Sequence, residues 1–370
     1  MNISIFKISV LLCSIILAMM MLSCGSSNRL LEEDIDKIDT IHIKDTTISG
    51  GDTIIRDTII YKKEKYKNPI INVSLPDPSV IKASDGFFYL YATEDIRNLP
   101  IYKSKDLIKW DYVGTAFSKD TRPSPIGTGV LWAPNINIID GVYTLYYSLG
   151  FWGQGNKCSI GVALADYPEG PFVDYGTVVH SKDIGVNNSI DPFMIEEDGK
   201  KYLFWGSMYG IYAIELTENG QNVKDGAKPT KITGDSVEGS YIYKRNGYYY
   251  YFGSRGRCCE GANSNYHVIY GRSESLLGPY YTQSGKKLLD SNYDTLLKGN
   301  SFVAGPGHHA RFIKDDDGQE WIIYHGYLKS DPDNGRVIFM DPLYWNNNWP
   351  YIKDGVPSET NYIPSFNSKY

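Results

Sequence analysis

The sequence predicts an all-β chain folded as a five-bladed β-propeller. Three observations lead there: a two-strand unit that recurs loosely five times, an Asp-Gly or Asn-Gly pair at the same place in every copy, and an aromatic content of 31 Tyr, 13 Phe and 7 Trp. Internal repetition outranks local propensity as evidence of architecture. Tyrosine suits a pleated, half-buried surface, and flat rings also suit a carbohydrate cleft. No long segment has helical periodicity. A β-sandwich would account for many short strands, but not for five graded copies.

The first copy is DPSVIKASDGFFYLYAT, from Asp77, and the second is WAPNINIIDGVYTLYYS, from Trp132. The third is DPFMIEEDGKKYLFWGS from Asp191, the fourth EGSYIYKRNGYYYYFGS from Glu238, and the fifth GPGHHARFIKDDDGQEWIIYHG from Gly305. Each reads as an apolar strand, a turn, and an aromatic strand that ends in a small polar residue. The turns are Asp85-Gly86, Asp140-Gly141, Asp198-Gly199, Asn246-Gly247 and Asp317-Gly318. Such pairs favour hairpins because both residues accept positive φ. The copies start about 50 to 70 residues apart, the span of a four-stranded blade. Segments between them, such as those beginning at Ile160 and His267, supply the outer strands.

Ahead of the repeats stands a targeting segment. Lys7 precedes an apolar run from Ile8 to Leu22, followed by Ser23 and Cys24, the pattern of a signal peptide. Met21-Leu22-Ser23-Cys24 resembles a bacterial lipobox, in which the cysteine carries lipid. The expected organisation is a signal peptide at 1–23, a lipid-anchored tether at 24–67 with three Asp-Thr-Ile repeats, and the propeller domain at 68–370. The tether is read as an extended stalk, with a small β element as the alternative. The protein is then expected outside the cytoplasm of a bacterium, anchored to the outer membrane or cell surface, and monomeric. Cys158, Cys258 and Cys259 remain beyond the leader, an odd number that gives no disulfide framework, with no CxxC and no zinc-ligand spacing. Adjacent Cys258 and Cys259 are read as free or partly buried thiols, with a vicinal bridge as the alternative.

A formal net charge of −6 with no basic tract argues against a nucleic-acid partner. The inner strands of a propeller line a central channel. Residues that open the repeats, Asp77, Asp191, Glu238 and His308, therefore converge at one end of it. A lone Asp before Pro is ordinarily a turn residue. Three acids in the same repeat phase point instead to glycoside hydrolysis, which needs one carboxyl group to protonate the leaving oxygen and another to activate water. A third negative charge helps the acid keep its proton.

These motifs resemble glycoside hydrolase family 43, inverting arabinanases, arabinofuranosidases and β-xylosidases on a five-bladed propeller, from about Asn68 to about Tyr351. The resemblance implies that Asp77 in PDPSV is the general base, Asp191 in SIDPF tunes the acid, and Glu238 in VEGSY is the acid. It implies a histidine, His308 in GPGHH, beside a hydrated calcium. The run SRGRCCEGANSNYHVIYGRSESLLGPY is most similar to 1,5-α-L-arabinanases. By the same likeness Trp132, Gly153, Asn188, Ser189, Ile190, Ser207, Met208 and Tyr209 are expected to meet an arabinose- or xylose-containing glycan. Two departures, Pro76 before the base and Ser240 after Glu238-Gly239, keep exo-acting arabinofuranosidase and β-xylosidase activities open. A non-catalytic glycan-binding lipoprotein is the rival class, but a binder has no need of an acid and a base. A Kelch or WD-type array lacks support in these repeats.

Overall fold

The computed structural model describes residues 40–49, 52–61, 64–93, 98–123 and 129–366. The expected signal peptide at 1–23 and Cys24 lie outside the described residues. Two compact units divide between Lys65 and Tyr66. In the first, β1 (Thr40–Ser49) and β2 (Asp52–Tyr61) pair antiparallel, from Thr40 opposite Tyr61 to Ser49 opposite Asp52. The β-branched Thr and Ile that recur in both segments suit strands. This part of the expected stalk is thus a small β element, not extended single chain.

The second unit opens within β3 (Lys65–Lys67), which pairs with the last strand, β24 (Thr360–Tyr362). Between them run five antiparallel four-stranded sheets, each built from consecutive strands. Blade I is β4 (Ser79–Lys82), β5 (Phe88–Tyr91), β6 (Pro100–Ser104) and β7 (Asp111–Thr115). Blade II is β8 (Val130–Ile139), β9 (Val142–Gly150), β10 (Ser159–Ala165) and β11 (Val173–His180). Blade III is β12 (Phe193–Glu197), β13 (Lys200–Trp205), β14 (Tyr212–Glu215) and β15 (Thr230–Lys231). Blade IV is β16 (Glu238–Arg245), β17 (Tyr248–Arg255), β18 (His267–Ser273) and β19 (Asp294–Leu297). Blade V is β20 (Val303–Lys314), β21 (Glu320–Leu328), β22 (Arg336–Asn346) and β23 (Trp349–Tyr351). The expected five-bladed all-β architecture is therefore the observed one.

The hairpin turns divide into two kinds. Asp140-Gly141, Asp198-Gly199 and Asn246-Gly247 are two-residue loops with both residues at positive φ. Asp85-Gly86 and Asp317-Gly318 lie in longer loops, where only the glycine has positive φ. There Gly86 N–H donates to Ala83 O and Gly318 N–H to Asp315 O, so a tight turn precedes the left-handed glycine.

Tyrosine and phenylalanine from the inner strands seal one blade against the next. Phe193 meets Tyr241 edge-on, with centroids 5.1 Å apart, and Tyr241 meets Phe312 at 5.1 Å, linking blades III, IV and V. Each such pair contributes about 0.5–1.5 kcal/mol beyond its buried area. The circle closes where Ile70 N–H donates to Ile338 O and Leu75 N–H to Arg336 O, tying the chain before blade I to blade V.

Candidate active site

Each inner strand, or the segment leading into it, carries one left-handed kink. Asp77 (φ 55°), Ala133 (φ 42°), Asp191 (φ 61°), Gly239 (φ 69°) and His308 (φ 58°) hold the same place in successive blades. Such backbone is strained for residues other than glycine and clusters at functional sites. The small polar residue that ends each second strand explains how the kinks are held. Ala133 N–H donates to Thr93 Oγ1 (2.7 Å), Asp191 N–H to Ser148 Oγ (2.8 Å) and His308 N–H to Ser254 Oγ (2.8 Å). Asp77 N–H donates to His325 Nδ1 (2.9 Å), carrying the pattern from blade V back to blade I. In blade III the corresponding Ser207 donates to the Glu238 side chain. Glu238 therefore stands one residue before the kink, not in the same phase as the other acids; Gly239 is the true counterpart of Asp77 and Asp191.

The channel end holds Asp77, Asp191 and His308 in contact. His308 Nε2 is 2.9 Å from Asp191 Oδ2 and its Nδ1 is 3.2 Å from Asp77 Oδ1. All three are buried. Burial pushes the imidazolium pKa down, but Asp191 and Asp77 more than offset that and hold it up at about 9. Burial raises Asp191 to about 6 against the lowering effect of His308, with Glu238 and Asp77 adding to the rise. Thr93 donates its hydroxyl to Asp77 Oδ2, and Arg336 reaches Asp77 Oδ1 at 3.1 Å. His325 Nδ1 also lies 3.4 Å from that oxygen, but the nitrogen already accepts Asp77 N–H, so this approach is not an ion pair. Glu238 Oε2 accepts from Ser207 Oγ at 2.8 Å, a neutral partner.

These groups lie in one cleft of about 500 Å³. Of the expected glycan contacts, Trp132, Gly153, Asn188, Ile190, Ser207 and Met208 line it. Ser189 does not: it is fully buried, accepts from Trp205 Nε1 and donates to Val186 O. Tyr209 is half exposed and lines an adjoining cavity with Gly153 and Asn188. Sequence reasoning missed Thr93, Arg336 and His325 around Asp77. It also missed Trp152, which meets Trp132 at 5.0 Å on the rim and is 74% exposed. Cys258 and Cys259 are bridged and form part of the wall, so the expectation of free thiols fails. Only the small polar ends of the second strands were visible beforehand as a signal.

The residues do not fit a calcium ion ligated by His308. Its ring faces carboxylates on both sides, with Nε2 2.9 Å from Asp191 Oδ2 and Nδ1 3.2 Å from Asp77 Oδ1, and calcium prefers oxygen ligands to an imidazole nitrogen. Among the described residues no group of three or more His, Cys, Asp and Glu side chains is spaced to hold a metal. What the cleft does offer is two carboxyl groups in contrasting surroundings. Asp77 is faced by the positive charge of Arg336 and His308, and Glu238 by a hydroxyl.

The comparisons with known proteins agree with this geometry. The model for glycosyl hydrolases family 43 matches residues 66–350. The extracellular exo-α-(1→5)-L-arabinofuranosidase of Cellvibrio japonicus is 30% identical over 313 residues, covering 76% of this chain and 87% of its own. The extracellular endo-α-(1→5)-L-arabinanase 1 of Bacillus subtilis is 32% identical over 296 residues, covering 75% and 88%. Among solved structures, the Cellvibrio cellulosa α-L-arabinanase superposes with a TM-score of 0.68 at 28% identity, covering 78% of this chain and 99% of that one. With the matched region spanning every blade from Asp77 to the last sheet, the chain belongs to glycosyl hydrolase family 43.

Proposed function

We propose that the enzyme hydrolyses α-1,5-L-arabinofuranosidic bonds within arabinan, with inversion at the anomeric carbon. The observation that carries this is the contrast between two carboxyl groups in one cleft. Asp77, flanked by Arg336 at 3.1 Å and His308 at 3.2 Å, is suited to remain a carboxylate and take a proton from water. Glu238, hydrogen-bonded to Ser207, is suited to bring a proton to the leaving oxygen. Asp191 places a third carboxyl group beside them, held by His308. Trp132 and Trp152 offer apolar ring faces to the sugar at the rim. The named activities of the relatives, exo and endo on α-1,5-linked arabinose, support the choice of bond.

Product profiling on linear arabinan tests the reading. Mixed oligosaccharides are expected early in the reaction, with the first-formed anomer inverted by proton NMR. Arabinose as the sole early product would replace the endo mode by exo action, a retained anomer would remove Asp77 as base, and no release at all would overturn the substrate. We further propose that the enzyme works outside the cytoplasm, tethered by lipid on Cys24. Cys24→Ser should shift it from the membrane fraction to the soluble one, and an unchanged distribution would refute the anchor.

A further inference from the structure

A second cavity, about 530 Å³ against about 500 Å³ for the catalytic cleft, opens where blade IV meets the last hairpin of blade V. β16 starts at Glu238 in the cleft and ends at Arg245, which pairs with Tyr248 at the start of β17. At about 3.3 Å per residue those 8 residues carry the chain roughly 25 Å, so Tyr248 and the cavity lie at the opposite end of the blade from the acids. The strand register sets aromatic side chains on one face of the sheet there. Arg272 of β18 stands opposite Tyr250 on one side and opposite Tyr281 on the other, exchanging two backbone hydrogen bonds of 2.8 Å with Tyr281. Residues directly opposite share a face, and Tyr248, two positions from Tyr250, shares it too. Trp349 of blade V meets this row: the Arg272 guanidinium lies 4.0 Å from the centre of its ring and 4.1 Å from that of Tyr248.

The rest of the wall is mostly neutral and polar, with hydroxyls from Ser273, Ser275 and Thr282 and the amide of Gln283. Among the described residues it carries one cation, Arg272, and one anion, Glu274. Rings cover the cation, and its Nη1 donates to Asn348 O at 3.3 Å, so it is poorly placed to meet an anionic ligand. Ring faces beside hydroxyl and amide groups suit a sugar, which has apolar C–H faces and a rim of hydroxyls. The cation–π stack and the paired backbone hydrogen bonds fix the rings in advance, so little ordering remains when a ligand arrives. We infer that this cavity is a second glycan-binding site, which holds a stretch of the same neutral polysaccharide that the cleft cuts. A long chain that reaches both places is retained by two linked contacts, each raising the effective concentration of the chain at the other.

This inference rests on arabinan being the substrate, and two variants test it away from the acids. Ser275→Trp fills the cavity from an exposed position; the hydrogen bonds Ser275 makes, N–H to Ser273 Oγ and O from Gly278 N–H, are backbone groups that the change leaves in place. Tyr281→Ala removes a ring whose backbone pairing with Arg272 stays. Electrophoresis of Glu238→Gln through gels containing linear arabinan reads binding without hydrolysis. Each cavity variant added to Glu238→Gln should weaken the apparent affinity for arabinan by about tenfold, the effect of losing one of two linked contacts. In enzyme that keeps Glu238, each should lower kcat/KM on long linear arabinan by a similar factor. On arabinotriose, too short to reach from the cleft to the cavity, kcat/KM should stay within about twofold. Unchanged affinity in both variants, or equal losses on arabinan and arabinotriose, would overturn the second site. A wild-type enzyme that cleaves xylan but not arabinan would overturn the substrate reading alone, and the same two variants in xylan gels would then decide the cavity.

Discussion

Replacing Gly239 by alanine should damage the site far more than the same change at Gly247, although both glycines have similar backbone (φ 69° and 79°). At Gly247 an added Cβ meets nothing within 4 Å, so the variant bears only the strain of left-handed backbone, about 1–2 kcal/mol. At Gly239 the Cβ would lie 2.7 Å from His308 Nε2 and 2.9 Å from its Cδ2. Ordinary carbon contacts are about 3.5–4.0 Å, so the ring must retreat by roughly 1 Å. It cannot turn outward, being 4% exposed and held between Asp191 at 2.9 Å and Asp77 at 3.2 Å. A retreat of that size breaks the Nε2–Asp191 hydrogen bond, and a bond to a charged group contributes about 1.5–3 kcal/mol. The two effects add to about 2.5–5 kcal/mol for Gly239→Ala, against about 1–2 for Gly247→Ala. Urea denaturation of both variants measures the difference. Initial rates on linear arabinan should separate them further, by about a hundredfold, because His308 sets the positions of Asp77 and Asp191. Equal stability and equal rates for the two variants would show that His308 is not clamped as described.

Three further outcomes follow from the same cluster and its cleft. The His308 pKa is raised from 6.5 to about 9, so its share of stability is complete below about 6.5 and is lost as pH rises through about 9; thermal denaturation from pH 6 to 10 should show a decline that His308→Asn lacks. Asp191→Asn replaces the carboxylate that meets His308 Nε2 at 2.9 Å by a neutral amide, so initial rates on linear arabinan should fall by roughly tenfold to a hundredfold, and an unchanged rate would remove Asp191 from the machinery. Reducing the Cys258–Cys259 bridge with a phosphine should raise KM on arabinan more than it lowers kcat, since the bridge belongs to the cleft wall and not to the acid–base pair; Cys258→Ser/Cys259→Ser should already show the raised KM and resist the reductant.

The blades were legible in the sequence because hairpins are local. Asp140-Gly141 and Asn246-Gly247 need only their own backbone freedom to turn the chain, and the aromatic strands on either side declare the pairing. The longer loops at Asp85-Gly86 and Asp317-Gly318 carry the same dipeptide, and which kind forms depends on flanking hydrogen bonds that composition does not reveal. The groups around Asp77 were harder to find for the opposite reason. Arg336 arrives from β22, far along the chain and outside the repeat phase, so no local pattern marks it. Thr93 and His325 did lie in phase, at the ends of second strands. Their task, accepting the N–H of a kinked residue in the next blade, exists only once the blades stand side by side.

The one-residue offset of Glu238 was invisible for a further reason: matching acid with acid aligns it with Asp77 and Asp191, whereas matching backbone aligns Gly239 with them. That offset decides what the three acids can do. Residues at equivalent places in a ring point alike, and Asp77 and Asp191 accordingly meet the same imidazole, each neutralised in part by His308. An acid in that position would share the clamp and lie close to the base, where an inverting pair needs about 6.5–9.5 Å for a sugar and a water. Standing one residue earlier, Glu238 is turned toward Ser207, and the kink itself falls to Gly239, whose missing Cβ leaves His308 its place. The repeat thus supplies the proposed base, Asp77, and its charged neighbours by symmetry, and the proposed proton donor, Glu238, by breaking that symmetry at a single position.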